Sequence, residues 1–183
     1  MTLTWLPNAL TLTRIALAFA VAWLILTLPA SSIWPVIAFV LVALTDFVDG
    51  LAARKLNAVS ALGAFLDPVA DKLLVGLSLL ALAATRDWAL LLLIPSLLII
   101  LRDLIATGLR LVPSVEMPVS RLAKWKTALE MVAIVALLLA GPLALEIVWT
   151  AGLIVLWLAA LLSVYTLGLY LGALLAESKR PRS

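Results

Sequence analysis

The sequence predicts an all-α integral membrane protein of six transmembrane helices, organised as one membrane-embedded domain over residues 1–183. Three observations carry that prediction. With 66% of residues hydrophobic, 13% charged and a mean hydropathy of +1.24, too few polar side chains exist to cover a water-soluble surface. Apolar runs of membrane-crossing length, about 20 residues, recur along the chain. Turn and breaker residues separate these runs.

The first run, 8–29, lacks a basic start, is long enough to span and holds Arg14, so it reads as a retained helix rather than a cleaved signal. Pro29-Ala30-Ser31-Ser32 ends it. The second run, 33–54, closes on Arg54-Lys55, and the third, 64–85, follows Gly63 and stops at Arg86-Asp87. In the fourth, 88–110, Arg102 lies about two turns inside the end, too deep for a topology marker. The fifth, 120–141, opens among Arg121, Lys124 and Lys126 and is expected to break at Gly141-Pro142. The sixth, 146–174, carries Gly168 and Gly172, a small-residue pair suited to packing between helices or at a dimer interface. Trp5, Trp23, Trp34, Trp88, Trp125 and Trp149 fall near span ends, as an interfacial belt requires.

Lys and Arg sort by side. Arg54, Lys55, Arg110, Arg121, Lys124, Lys126 and the tail Lys179-Arg180-Pro181-Arg182 gather at one set of ends, while Arg86 marks the other. The positive-inside rule then puts both termini in the cytoplasm. These basic residues follow the membrane ends, and no nucleic-acid partner is expected.

The chemistry concentrates where the second and third runs meet. Asp46, two residues, Asp49-Gly50, two residues, Ala53-Arg54, eight residues, Gly63, three residues, Asp67, three residues, Asp71 form one acidic constellation at the cytoplasmic end. Carboxylates near hydrocarbon are costly and repel one another, so cations are implied. At about 100° per residue, Asp46, Asp49 and Ala53 share one helix face, and Asp67 and Asp71 share another. A short connection lets the two pairs face across one crevice, where four negative charges balance two dications. The chain contains no Cys and no His, which excludes thiol nucleophiles, imidazole bases and ordinary zinc sites. The ligands left are hard oxygens, suited to magnesium, manganese or calcium. Gly50, Ala53 and Gly63 leave room for a ligand, and Arg54 suits a phosphate. The competing reading makes the acids ordinary loop charges paired with Arg54, Lys55 and Lys72.

This stretch resembles the signature of the CDP-alcohol phosphotransferase family at every fixed position, and the six predicted helices match that family over the whole chain. The resemblance implies transfer of a phosphatidyl or related group from a CDP-linked donor to an alcohol, with release of CMP. It implies that Asp46, Asp49, Asp67 and Asp71 bind two divalent cations, Mg2+ or Mn2+, and that Asp71 takes the acceptor's proton. Gly50, Ala53, Arg54 and Gly63 would shape the CDP pocket. Asn8 and Thr11, in the opening Leu6-Pro7-Asn8-Ala9-Leu10-Thr11-Leu12-Thr13-Arg14, would contact the donor.

The signature does not read the acceptor. Arg102, Arg110, Lys124 and Lys126 form a cation set suited to an acceptor that carries its own phosphate. The segments around Arg102-Asp103 and Lys124-Trp125-Lys126 resemble the phosphatidylglycerophosphate synthase branch, which implies CDP-diacylglycerol and glycerol 3-phosphate as substrates. Asp103 and Ala123 depart from that branch's expected Glu and Gly. Acceptors of cardiolipin, phosphatidylinositol-phosphate and phosphatidylserine synthases stay open, as does topology plus anionic-lipid contact as the role of Arg110, Lys124 and Lys126. A small carboxylate-using transporter is one alternative class, disfavoured because the acids cluster at helix ends rather than at the bilayer midplane, and a structural membrane partner with a vestigial site is another, against which the intact motif argues. Membrane lipids as partners, a homodimer and a bacterial plasma membrane location, with the site facing the cytoplasm, complete the expectations.

Overall fold

The structure, a computed structural model, describes the backbone of residues 5–56, 61–110 and 121–178, and the side chains of 12–45, 69–70, 72–109 and 125–172. Six helices follow one another: α1 (Trp5–Thr27), α2 (Trp34–Leu56), α3 (Ala61–Ala84), α4 (Leu90–Arg110), α5 (Arg121–Leu143) and α6 (Glu146–Ser178). Each falls on one of the six predicted runs, and no strand occurs among the described residues. Leu90–Leu109, Trp125–Leu143 and Glu146–Gly172 are long and apolar enough to cross a bilayer; Leu12–Thr27, Trp34–Thr45 and Lys72–Ala84 are shorter apolar stretches.

α3 lies at the centre, against α1, α2, α4 and α5, while α6 packs on α5 and α4. The core holds Phe39, Leu79, Leu92, Ile99, Ile134 and Leu156, with fully enclosed alanines at the helix contacts, among them Ala18, Ala83, Ala133 and Ala159. Small side chains let helices approach closely where the medium outside is no less apolar than the inside. Ile147 at 76% exposure, Trp23 at 67% and Leu104 at 64% point outward. So large an apolar exterior suits hydrocarbon, not water.

Two helix features correct or extend the sequence reading. Gly141-Pro142 does not break the chain; both lie inside α5. A Cβ at Gly141 would stand 1.8 Å from the carbonyl oxygen of Ala30, so the glycine admits the α1–α2 connection against α5. The break comes at Ala144, whose φ of 53° is left-handed. Leu145 N–H donates to the Ala140 carbonyl and Ala144 N–H to that of Gly141, closing the helix end as a Schellman motif. In α4, Pro95 sits inside the helix and leaves the Leu91 carbonyl without its usual N–H. The indole N–H of Trp157 on α6 donates to that oxygen at 3.0 Å. Gly168 and Gly172 meet nothing within 4 Å of where a Cβ would stand, so they take no part in packing among the described residues.

Candidate functional site

Charged side chains inside apolar helices are stable only when partnered. Arg102 and Asp103 on α4 and Lys126 and Glu130 on α5 are all buried, and each is partnered. Asp103 Oδ1 accepts from Arg102 Nη1 at 2.9 Å and from Lys126 Nζ at 2.5 Å. Lys126 Nζ also reaches Glu130 Oε1 at 3.0 Å, the one-turn pairing that their spacing allows. Two cations and two carboxylates thus balance within one network.

α6 completes the network with polar residues at helical spacing. Ser163 Oγ donates to Glu130 Oε1 at 3.4 Å, and Thr166 Oγ1 accepts from Arg102 Nη2 at 3.1 Å. The Tyr170 ring centroid lies 5.6 Å from Arg102 Cζ, within cation–π range. Arg102 Nε is enclosed and has no hydrogen-bond partner among the described residues. From α3, Lys72 Nζ donates to the Asp103 backbone carbonyl at 3.0 Å and to Thr107 Oγ1. Lys72 follows Asp71 directly, so the network touches the helix that carries half of the predicted carboxylates.

The predicted site residues divide accordingly. Asp46, Asp49, Gly50, Ala53 and Arg54 lie in the last three turns of α2, and Gly63, Asp67 and Asp71 in the first three of α3, which packs on α2. Asn8 and Thr11 are in α1, Arg110 ends α4 and Lys124 opens α5. The side chains of these twelve lie outside the described residues, and Arg102 and Lys126 lie within them. Arg102 and Lys126 come together through their shared carboxylate. Among the described residues no three Asp, Glu, His or Cys side chains converge on a metal position.

The sequence reading of these positions missed the part of Asp103 as the shared counter-ion and of Thr107, Ser163, Thr166 and Tyr170 as its surroundings. One signal was available. Ser163, Thr166 and Tyr170 recur at one helical face of an otherwise apolar span, where polar groups need partners.

Comparison with known proteins points to one family. A family model described as CDP-alcohol phosphatidyltransferase matches residues 4–165. A Rickettsia bellii protein named CDP-diacylglycerol--glycerol-3-phosphate 3-phosphatidyltransferase is 44% identical over 141 residues, covering 73% of this chain and 75% of that protein. A Wigglesworthia glossinidia brevipalpis protein of the same name is 40% identical over 73% of this chain and 76% of its own. An Arabidopsis thaliana protein, number 2 of that name, is 35% identical over 91% of this chain and 78% of its own.

Proposed function

The chain belongs to the CDP-alcohol phosphatidyltransferase family, and from that premise we propose that it transfers the phosphatidyl group of CDP-diacylglycerol to glycerol 3-phosphate, giving phosphatidylglycerophosphate and CMP. The acceptor's hydroxyl oxygen forms a bond to the phosphatidyl phosphorus as the P–O bond to CMP breaks. Its proton passes to the Asp71 carboxylate.

Asp46, Asp49, Asp67 and Asp71 would hold two divalent cations, Mg2+ or Mn2+. The donor set fits: four carboxylates on two adjoining helices, in a chain with neither Cys nor His, favour oxygen-seeking dications. When bound, such ions neutralise the pyrophosphate and the departing CMP. Asn8, Thr11, Gly50, Ala53, Arg54 and Gly63 bind the CDP portion of the donor. Arg102, Arg110, Lys124 and Lys126 receive the acceptor's phosphate. Positioning and charge neutralisation then provide most of the rate enhancement.

One observation carries the acceptor assignment: the α4–α5 cation pair is joined through Asp103 to Lys72, the residue next to Asp71. A phosphate held by that pair brings its alcohol near the α3 carboxylates. Six spans, both termini and the site on the cytoplasmic side of a bacterial plasma membrane, membrane lipids around the spans, and a homodimer belong to the same proposal. Purified protein with CDP-diacylglycerol and magnesium is tested against glycerol 3-phosphate, inositol phosphate, serine and phosphatidylglycerol, scoring CMP. Glycerol 3-phosphate should turn over fastest; equal turnover with another acceptor would defeat the assignment.

A further inference from the structure

The guanidinium of Arg102 is fixed from three directions. Asp103 takes an N–H of Nη1 at 2.9 Å, Thr166 takes one of Nη2 at 3.1 Å, and the Tyr170 ring stands 5.6 Å from Cζ. Asp103 comes from α4 itself and is held in turn by Lys126 on α5. Thr166 and Tyr170 come from α6 and set the guanidinium relative to that helix. Thr166 is 2% exposed, and its own O–H is spent on the Ser163 carbonyl at 2.9 Å. With that hydrogen committed to its backbone, the oxygen faces Arg102 purely as an acceptor. Of the three guanidinium nitrogens, Nε alone has no hydrogen-bond partner among the described residues, and it is enclosed. Buried donors are rarely left so, and each such case calls for a reason.

We propose that Thr166 is a positioning residue for acceptor recognition: it fixes the plane and direction of the Arg102 guanidinium, whose remaining N–H donors serve the acceptor's phosphate. The proposal rests on the reading of Arg102 as an acceptor contact. Thr166 itself touches neither substrate. It acts through the orientation of a planar, rigid fork, whose value for a phosphate depends on direction as much as on charge. Thr166 and Tyr170 also lie beyond residues 4–165, the part of the chain that the family model matches. Recognition of the acceptor therefore draws on a helix segment outside the matched region.

The test compares Thr166→Val, which keeps the shape and loses the oxygen, with Thr166→Ser, which keeps the oxygen. Thr166→Ala serves as a second apolar replacement, and Arg102→Ala is measured in parallel. Kinetics are taken separately for glycerol 3-phosphate and for CDP-diacylglycerol, with thermal unfolding of each variant as the folding check. Losing one hydrogen bond to a charged group predicts a rise of about tenfold in the acceptor KM for Thr166→Val and Thr166→Ala. The donor KM and kcat should stay within about twofold, and Thr166→Ser should restore the acceptor KM. An unchanged acceptor KM in the Val and Ala variants, an equal rise for both substrates, or a Ser variant as impaired as Val would overturn the positioning role. If Arg102→Ala itself leaves the acceptor KM unaffected, the underlying reading of Arg102 fails instead.

Discussion

Replacing Lys126 by Met removes a buried ammonium while keeping most of its volume. Lys126 and Glu130 side chains are 3% and 2% exposed, so solvent cannot take over the partner's charge. In the variant, Asp103 keeps Arg102, whereas Glu130 loses its ion-pair partner among the described residues. Stranding a buried carboxylate in this way costs about 3–5 kcal/mol. Adding Glu130→Gln removes the stranded charge and keeps an oxygen for Ser163, so the double variant should recover about 1–3 kcal/mol relative to Lys126→Met alone. Denaturant unfolding in detergent micelles, followed through the seven tryptophans, measures all four corners of the cycle. The reasoning is refuted if Lys126→Met unfolds like the parent. It is equally refuted if the two substitutions simply add, because then Glu130 and Lys126 are not each other's counter-ions.

Three further outcomes are expected. Gly141→Ala forces a methyl into the Ala30 carbonyl, and despite alanine's better helix propensity should lower unfolding stability by about 2–3 kcal/mol. Ala144→Gly relieves a left-handed residue and should raise stability by about 0.5–1 kcal/mol; a lower melting temperature would contradict the helix-end assignment. Asp71→Asn should reduce turnover by a factor of about a hundred or more while CDP-diacylglycerol still binds, as measured by CMP release and by equilibrium binding; unchanged turnover would remove Asp71 as the base.

The helices were legible because hydrocarbon leaves a backbone little choice: an apolar run of the right length must bond within itself. Their ends were read less well. Gly141-Pro142 looked like punctuation, yet the glycine answers to Ala30, more than a hundred residues away, and the true end at Ala144 is an ordinary alanine in an unusual conformation. The acidic constellation is a pattern of spacing, and the side chains of Asp46, Asp49, Asp67 and Asp71 lie outside the described residues. Lys126 with Glu130 was legible, since the two are one turn apart. Arg102 with Thr166 was not: the partners are separated by 64 positions on helices whose adjacency no local pattern encodes. Two members of the expected cation set lie among the described residues. Arg102 and Lys126 are interlocked with Asp103 and Glu130, because an unbalanced positive pair inside a bundle would have no solvent to shield it.

Pro95 and Trp157 illustrate how one sequence choice obliges another. A proline in the second turn of α4 strips the first-turn carbonyl of Leu91 of its helical donor. The lender here is an indole on a different helix, so the two positions form a debt and its guarantor and should change hands together. A chain with alanine at 95 could release the tryptophan to drift toward any bulky apolar residue; a chain that kept the proline could not. Comparison of homologous sequences at these two sites would therefore show linked turnover, although neither residue stands among those proposed to touch substrate.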